Sequence, residues 1–284
     1  MNITSDWHIH SRNSCDEAAL AMADLYSAAP RLGIGDFGVT DHLHTPYNLP
    51  DIACSRAEFD SLTPDPRFHF GIEVSCVSAW ELDEIARGGH DRPVYGLRGG
   101  GPRGAPLAIG LGREDIARFR IEYVVGGTHW PMYVPFEREA VIRDYHRQNL
   151  FLALHPLVYI IAHPWWWMED GQDAAGNYPD EPWLGNFDRI PRSMHDEFAG
   201  ACLAAGKKVE INISAMLLNP TYPESFKRRY AEYLAELKSR GVRLSIGSDC
   251  HDAFYAPDLA GASARLDAVG IAEADCWKLE KKTP

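Results

Sequence analysis

Short apolar runs alternate with longer segments of helical periodicity along most of the chain. The apolar runs predict strands, which we place at 7–10, 37–42, 68–75, 121–129, 158–163, 208–214 and 242–249. The segments between them predict helices at about 16–29, 55–62, 137–154, 193–205, 223–240 and 257–269. Strands that alternate with helices pair in parallel through right-handed crossovers, so the pattern predicts an α/β fold.

Two stretches depart from this alternation. Residues 86–112 are rich in glycine, proline and arginine, and residues 165–187 are dense in tryptophan and acidic residues. The strand pattern resumes after each stretch, so we interpret both as loop excursions rather than linkers between domains. The prediction is a single domain over residues 1–284.

Polar side chains stand at the carboxyl end of every predicted strand. In chain order they are His8 with His10, Asp41 with His42, Glu73, His129, His163, Glu210 with Asn212, and Asp249 with His251. Parallel α/β proteins place their active sites at this edge of the sheet. A closed barrel would bring these groups around one mouth, whereas an open sheet would spread them, so the pattern favours the barrel.

The spacing and the residue types indicate metal binding. Residues i and i+2 of a strand point to the same side, so His8 and His10 can bind one ion. Asp249 and His251 have the same spacing. Imidazole nitrogen together with carboxylate oxygen suits Zn, Mn or Fe better than Ca. A single buried histidine more often packs than binds a metal, and it is the recurrence at every strand end that predicts a site.

Charge limits the classes of partner. The chain has 284 residues, and 28 Lys and Arg against 40 Asp and Glu give a formal charge of −12. This balance argues against long nucleic acids, which need a basic surface. It does not exclude a small anionic substrate, because bound cations reverse the local field.

The remaining composition is that of an ordinary globular protein, with 45% hydrophobic and 24% charged residues. No apolar run approaches the roughly 20 residues of a membrane span. The N-terminal segment lacks a secretory pattern, and the six cysteines show no CxxC spacing. We therefore expect reduced thiols, a cytoplasmic location and no membrane partner. The oligomeric state stays open.

The order of these short motifs resembles the PHP (polymerase and histidinol phosphatase) superfamily. The motifs are HxH, T-D-H, G-x-E, a strand-end histidine, A-H-P, E-x-N and S-D-x-H, and they span residues 8–251. The resemblance implies a distorted TIM-like (βα)7 barrel with a trinuclear metal site at the carboxyl ends of the strands.

The resemblance also implies a ligand set for two or three divalent transition metal ions. The first ion would take His8, His10, Glu73 and Asp249, the second Glu73, His129 and His163, and the third His42, His251 and Asp16. The family usually has a more compact "SDG" or "PHG" where this chain reads "SCDEA". Asp16 therefore has a second interpretation, as the N-cap of the following helix.

The implied activity is hydrolysis of a phosphate ester on a small phosphorylated metabolite or nucleotide, by a metal-bridging hydroxide. Glu73, Asp249 and His251 would act in catalysis through the ions. His44 stands on the same side as His42 if the strand continues, which makes it a candidate general acid; a loop histidine without a role is the alternative.

Other residues are candidates for substrate contacts, each with a structural alternative. Arg92, Arg98 and Arg103 could grip phosphate or belong to a solvated loop. Trp130 and Trp165 could stack on a base or sugar or pack the barrel rim. Asn212 could contact substrate or satisfy backbone groups. Asp6, Asp41 and Glu210 stand where they could accept the second N–H of metal-binding imidazoles.

Two other classes of protein remain open. Amidohydrolases also begin with HxH on a barrel strand and cleave C–N bonds, but they bridge their metals with a lysine. Here Glu73 is the bridging candidate, and no lysine ends a middle strand. A non-catalytic metal-binding module is the third interpretation.

Overall fold

The computed structural model describes residues 1–91, 94–167 and 182–279. Arg92 and the middle of the second excursion lie outside the described residues. The elements of the described part follow in the order β1 (Ser5–Asp6), α1 (Met22–Arg31), β2 (Asp36–Val39), β3 (His42–Leu43), α2 (Leu49–Ser61), β4 (Phe68–Ser75), β5 (Val77–Ser78), α3 (Ala79–Arg87), β6 (Leu107–Ala108), α4 (Arg113–Phe119), β7 (Tyr123–Gly127), α5 (Arg138–Leu154), β8 (Ile160–Ala162), α6 (Arg192–Ala204), β9 (Lys208–Asn212), α7 (Glu224–Ser239), β10 (Arg243–Gly247) and α8 (Leu259–Ala268).

Seven of these strands form a nearly closed parallel barrel. Their order is β1, β2, β4, β7, β8, β9 and β10, and each neighbouring pair is parallel. The chain after β1 meets the far edge, because Trp7 N–H donates to the Ile246 carbonyl at 2.8 Å and Asp249 N–H to the His8 carbonyl at 2.7 Å. Helices lie between successive strands. The predicted TIM-like (βα)7 fold is confirmed.

Bulky aromatic rings fill the space between the strands on the side away from the polar strand ends. Trp7 and Tyr123 belong to a small buried cluster with Trp277. The Tyr123 ring lies against Gly71 and Gly38 of neighbouring strands, where an added Cβ would come within 2.6 Å and 2.1 Å of its atoms. Its hydroxyl donates to the Trp7 carbonyl at 3.1 Å. These rings leave the carboxyl ends of the strands to the polar groups.

Several element boundaries differ from the sequence prediction. Helix α1 begins at Met22 rather than near residue 16, and α2 begins at Leu49 rather than near residue 55. Pro50 in the first turn of α2 suits a helix start, and this signal was visible in the sequence.

The chain in and around the first excursion also contains structure that was not predicted. Strand β6 pairs antiparallel with β5, and α3 and α4 flank this pair. Strands of two residues are too short to show a period, which is why the pattern missed them. Helix α3 begins at an N-cap, since Ser78 Oγ accepts the Glu81 N–H at 3.1 Å.

Within the described ranges, none of the helices combines the length and the apolar character needed to cross a bilayer.

Candidate metal centre

A cavity of about 530 Å³ opens at the carboxyl ends of the strands. Its lining includes residues that the sequence places far apart: Asp16, His42, His44, Glu73, Arg98, His129, Trp130, His163, Asp249 and His251. The barrel has therefore brought most of the predicted site together. His8 and His10 are fully buried beneath this lining, next to Glu73 and Asp249.

Glu73 lies at the centre of the site, fully buried on β4. Its Oε2 lies 3.0 Å from His8 Nε2 and 3.0 Å from His42 Nδ1. Burial would raise the pKa of this carboxyl, but the surrounding histidines outweigh burial and hold the pKa well below its usual range.

The other oxygen of Glu73 faces a second pair of imidazoles. Its Oε1 lies 3.2 Å from His129 Nε2 and 3.2 Å from His163 Nε2. Burial lowers the pKa of His129 to about 4, although Glu73 opposes the shift. A carboxylate with a different set of nitrogen donors on each oxygen suits two neighbouring ions.

A group of donors formed by His8, His10 and Asp249 lies on the Oε2 side. The two Nε2 atoms are 2.9 Å apart, and Asp249 Oδ1 is 3.4 Å and 3.3 Å from them. Ligand atoms of a tetrahedral zinc ion are about 3.3 Å apart, given Zn–N bonds of about 2.0–2.1 Å. Burial, with His251 and His42 nearby, lowers the pKa of His10 to about 3. The His10 ring is thus a neutral donor.

Asp16 joins His10, His42 and His251 in a further group. Its Oδ2 lies 3.2 Å from His42 Nε2 and 2.5 Å from His251 Nε2. Burial would lower the pKa of His251, but the hydrogen bond that its Nε2–H donates to Asp16 raises the pKa to about 9. Because α1 begins at Met22, with Ala21 as its N-cap, the N-cap interpretation of Asp16 is wrong.

Two candidate ligands have left-handed backbone conformations. Asp249, two residues after β10, has φ 55°, and His163, directly after β8, has φ 24°. Residues other than glycine rarely adopt such angles, and they persist mainly at functional sites. The strain turns both side chains toward the cavity at the point where each strand ends.

Glu210 lies beneath the candidate metal ligands and contacts two of them, His8 and His163. Its Oε1 lies 2.6 Å from His8 Nδ1, and its Oε2 accepts the His163 N–H at 2.7 Å. Gly247 makes room for this carboxylate, because an added Cβ would lie 2.1 Å from Glu210 Oε1. Such contacts fix the tautomer and orientation of a metal-binding imidazole.

Asn212 does not contact the cavity, so the prediction that it binds substrate is corrected. It is fully buried, and its Nδ2 donates to Glu210 Oε2 at 3.1 Å and to Asp249 Oδ2 at 3.0 Å. The pleat of β9 turns it beneath the cavity floor, where it holds two carboxylates at a fixed separation.

Asp6 and Asp41 do not accept imidazole N–H groups, contrary to the sequence interpretation. Asp6 accepts from Ser248 N–H at 2.8 Å and Tyr255 hydroxyl at 2.7 Å, and Asp41 accepts from Ser11 N–H at 2.6 Å. Burial raises the pKa of each to about 6. Both carboxyls connect loops at the strand ends.

His44 lines the cavity next to His42, and its hydrogen-bond partner Ser75 was not predicted. Ser75 Oγ lies 2.6 Å from His44 Nδ1 and 2.8 Å from His129 Nδ1. Ser75 is two residues after Glu73 on β4, so strand periodicity alone could have pointed to it. Burial, with His42 and His129 nearby, holds the pKa of His44 well below its usual range.

Of the predicted arginines, Arg98 reaches the cavity and Arg103 does not. The Arg98 guanidinium stacks on Trp130 at 4.5 Å and on Tyr95 at 5.0 Å. Arg103 is exposed and lines a separate surface cleft with Arg143, so its predicted role at the site is corrected. Of Arg98 and Arg103, only Arg98 lies at the barrel mouth.

The prediction for Trp165 is also corrected, because the neighbouring ring faces the cavity. Trp165 is fully buried against Trp183, with ring centroids 5.4 Å apart. Trp166 lines the cavity, with its ring 5.2 Å from that of His163. The left-handed φ of 72° at Trp165 reverses the direction of the chain and decides which ring turns inward.

The donor set fits divalent transition metal ions. It consists of imidazole nitrogens and carboxylate oxygens, grouped so that the atoms of each cluster lie within 4.8 Å of one another. His42 Nδ1 and His129 Nε2, which lie 3.0 Å and 3.2 Å from oxygens of Glu73, are buried and form no well-aligned hydrogen bond among the described residues. Buried imidazole nitrogens that face a carboxylate in this way suit an ion that both groups would bind.

Comparisons with known proteins find a similar fold but no similar sequence. No protein-family model matches the sequence, and no curated protein gives a significant match. A candidate histidinol phosphatase of Listeria monocytogenes has a crystal structure similar to this chain, with a TM-score of 0.54 and 11% identity. The likeness covers 87% of this chain and 95% of that one.

Two further solved structures are more distant. A protein of Agrobacterium tumefaciens is 10% identical over 96% of this chain and 90% of its own, with a TM-score of 0.43. A candidate 2-pyrone-4,6-dicarboxylic acid hydrolase of Pseudomonas putida is 11% identical over 97% and 93%, with a TM-score of 0.41. The Listeria structure and this chain share a fold, and the likeness shows the fold alone.

Proposed function

We propose that this chain is a metal-dependent phosphoric ester hydrolase of the PHP type, acting on a small phosphorylated metabolite or nucleotide. The observation that carries the proposal is the position of Glu73, whose two oxygens face separate sets of imidazoles at the floor of one cavity. Paired ions bridged in this way are typical of enzymes that displace groups at phosphorus.

Divalent ions, when bound, lower the pKa of a coordinated water and neutralise phosphate oxygens. The chain's own residues do the rest. His8, His10 and Asp249 hold one side of Glu73, and His129 with His163 holds the other. Arg98 presents a guanidinium at the cavity wall, which suits a phosphate oxygen.

The carboxylates of the site favour bound cations. Asp16, Glu73 and Asp249 bring three carboxylates to one cavity, in a chain of formal charge −12. Protonated imidazoles such as His251, whose pKa is raised to about 9, offset part of this charge, and bound divalent ions would reverse the local field in favour of a phosphate ester. Metal removal is therefore expected to abolish binding and turnover together.

The test is hydrolysis of p-nitrophenyl phosphate and a panel of phosphorylated sugars and nucleoside monophosphates. The chelator-treated protein is assayed alone and after reconstitution with Zn²⁺, Mn²⁺ or Fe²⁺, with metal content measured in parallel. We expect turnover only in the reconstituted samples.

Two results would overturn the proposal. Cleavage of carboxamides or cyclic amides, with phosphate esters left intact, would assign a C–N bond hydrolase of the amidohydrolase type. Stoichiometric metal with no turnover of any substrate in either panel would assign a non-catalytic metal-binding module.

The same proposal includes a cytoplasmic location and a small phosphorylated partner rather than a membrane or a long nucleic acid. It is supported by the acidic charge and by the six cysteines, which are all free in the structure.

A further inference from the structure

A serine hydroxyl connects a candidate metal ligand to a histidine that no ligand group includes. Ser75 is fully buried at the end of β4. Its Oγ lies 2.8 Å from His129 Nδ1 and 2.6 Å from His44 Nδ1. The opposite nitrogens, His129 Nε2 and His44 Nε2, have no hydrogen-bond partner among the described residues. His129 Nε2 faces Glu73, and His44 lines the cavity.

A hydroxyl has only one proton to donate, so the two imidazoles cannot both accept from Ser75. When one Nδ1 accepts the Ser75 proton, the other Nδ1 must carry a proton and donate it to the Ser75 oxygen. In a neutral imidazole, the proton on one nitrogen leaves a lone pair on the other. The tautomers of His129 and His44 are therefore linked through Ser75.

The identity of the group that faces His129 Nε2 decides which arrangement is present. Glu73 Oε1, at 3.2 Å, is a carboxylate oxygen and favours a proton on that nitrogen. His129 Nδ1 then accepts from Ser75, Ser75 accepts from His44 Nδ1–H, and His44 Nε2 presents a lone pair. A metal ion instead requires the lone pair of His129 Nε2, which places the His129 proton on Nδ1 and reverses both hydrogen bonds.

We propose that Ser75 transmits occupation of the metal site to His44, so that metal loading turns His44 Nε2 into a hydrogen-bond donor aimed into the cavity. The inference rests on the proposed function, because the donor would act on an oxygen of the phosphate ester. His44 is then the residue that contacts substrate, and Ser75 is a positioning residue.

The proton count balances without a change of charge on either ring. The His44 Nδ1 proton passes to Ser75, and the Ser75 proton passes to His129 Nδ1. His129 Nε2 loses its proton to water as the ion binds, and His44 Nε2 takes one from water in the cavity. The metal-free site therefore offers an anion a lone pair at His44, and the loaded site offers it an N–H.

The test is the tautomer of His44, read by ¹⁵N NMR of histidine-labelled protein during titration with diamagnetic Zn²⁺. The His44 signals are assigned by their loss in His44→Gln. We expect zinc to move the proton from Nδ1 to Nε2. A His44 tautomer that is the same with and without bound zinc would overturn the inference.

Variants of Ser75 separate the relay from a structural effect of the site. Ser75→Ala is expected to abolish the zinc-dependent change and to lower kcat by about tenfold or more, because a donor to the reacting ester is lost. Ser75→Thr keeps the hydroxyl and should restore both. Ser78→Ala, which removes a buried hydroxyl bonded to Tyr133, is the matched control and should leave the tautomer change intact.

The outcomes distinguish this inference from the proposed function. Bound zinc with the tautomer change but no phosphoester turnover would uphold the relay and overturn the function. Turnover with a tautomer change that persists in Ser75→Ala would uphold the function and overturn the relay. A protein that binds no zinc by elemental assay contradicts both.

Discussion

Glu73 is the residue on which the arrangement of the site depends most. Its oxygens separate two sets of imidazoles, and burial leaves it no contact with bulk water. The histidines around it keep the pKa of the carboxyl low, so it stays ionised whenever these rings are close. A neutral replacement of the same shape would remove the charge and put an amide N–H against an imidazole nitrogen or an ion.

Glu73→Gln should therefore lose metal and lower kcat by at least about 100-fold, since even loss of an outer contact costs 10–100-fold. Metal content and p-nitrophenyl phosphate hydrolysis are the measurements. Glu139→Gln, at a side chain 85% exposed on α5, is the matched control and should change neither. Full metal content and full activity in Glu73→Gln would contradict the assignment of Glu73.

Arg98 and Arg103 allow a second test on single residues. Arg98→Lys keeps the charge but loses the planar stack on Trp130, so KM for the phosphate ester should rise by about tenfold with little change in kcat. Arg103→Lys should leave both constants unchanged, because Arg103 lies outside the cavity. Equal effects of the two substitutions would show that Arg98 contributes only long-range charge.

At the scale of the elements, the candidate functional side chains lie at the strand ends, and neighbouring glycines leave space for them. The strands β4, β7, β9 and β10 were predicted from their apolar runs within a few residues. Their ends were predicted as well, because a polar residue that follows a buried strand is visible in the sequence. The helices α3 and α4 were missed, since each has fewer than ten residues and the two lie at the two ends of the Gly-rich excursion.

Gly247 tests the close packing of these strand ends. A Cβ there would meet Glu210 Oε1 at 2.1 Å and His8 Cβ at 2.5 Å. Gly247→Ala should lower the free energy of unfolding by about 1–3 kcal/mol and weaken metal binding, because the support beneath His8 must shift. Urea unfolding and metal content check this.

Gly200 offers a matched glycine substitution in the same protein. It lies on α6 with no atom within 4 Å of an added Cβ. Gly200→Ala should leave stability unchanged or raise it by up to about 1 kcal/mol, as expected in a helix. If Gly247→Ala is as well tolerated as Gly200→Ala, the strand ends are less closely packed than the structure indicates.

At the scale of the whole molecule, two outer helices pack together through a buried histidine that lies away from the candidate metal ligands. His195 on α6 packs against Tyr233 of α7, with ring centroids 4.6 Å apart, and against Phe187. Burial, with Arg229 nearby, lowers the pKa of His195 from 6.5 to about 4. The folded protein therefore keeps this ring neutral at pH values where the unfolded chain protonates it.

Stability should fall as the pH drops from about 6.5 to about 4, because the unfolded state binds the proton first. Between pH 7 and pH 5 the wild type should lose roughly 1–2 kcal/mol more than His195→Gln, which cannot protonate. Urea unfolding of metal-free protein at the two pH values measures the difference. Identical losses would mean that His195 is already hydrated in the folded state.

The sequence by itself determined the alternation of strands and helices, the barrel and the polar residues at the strand ends. These follow from periodicity and from residue type, which are local properties of the chain. Only the tertiary structure decided that Trp166 rather than Trp165 faces the cavity, that Asn212 lies beneath it, and that Ser75 joins His44 to His129. Side-chain direction after a strand depends on the backbone angles of the turn and on neighbours from other strands, and neither is encoded in local spacing.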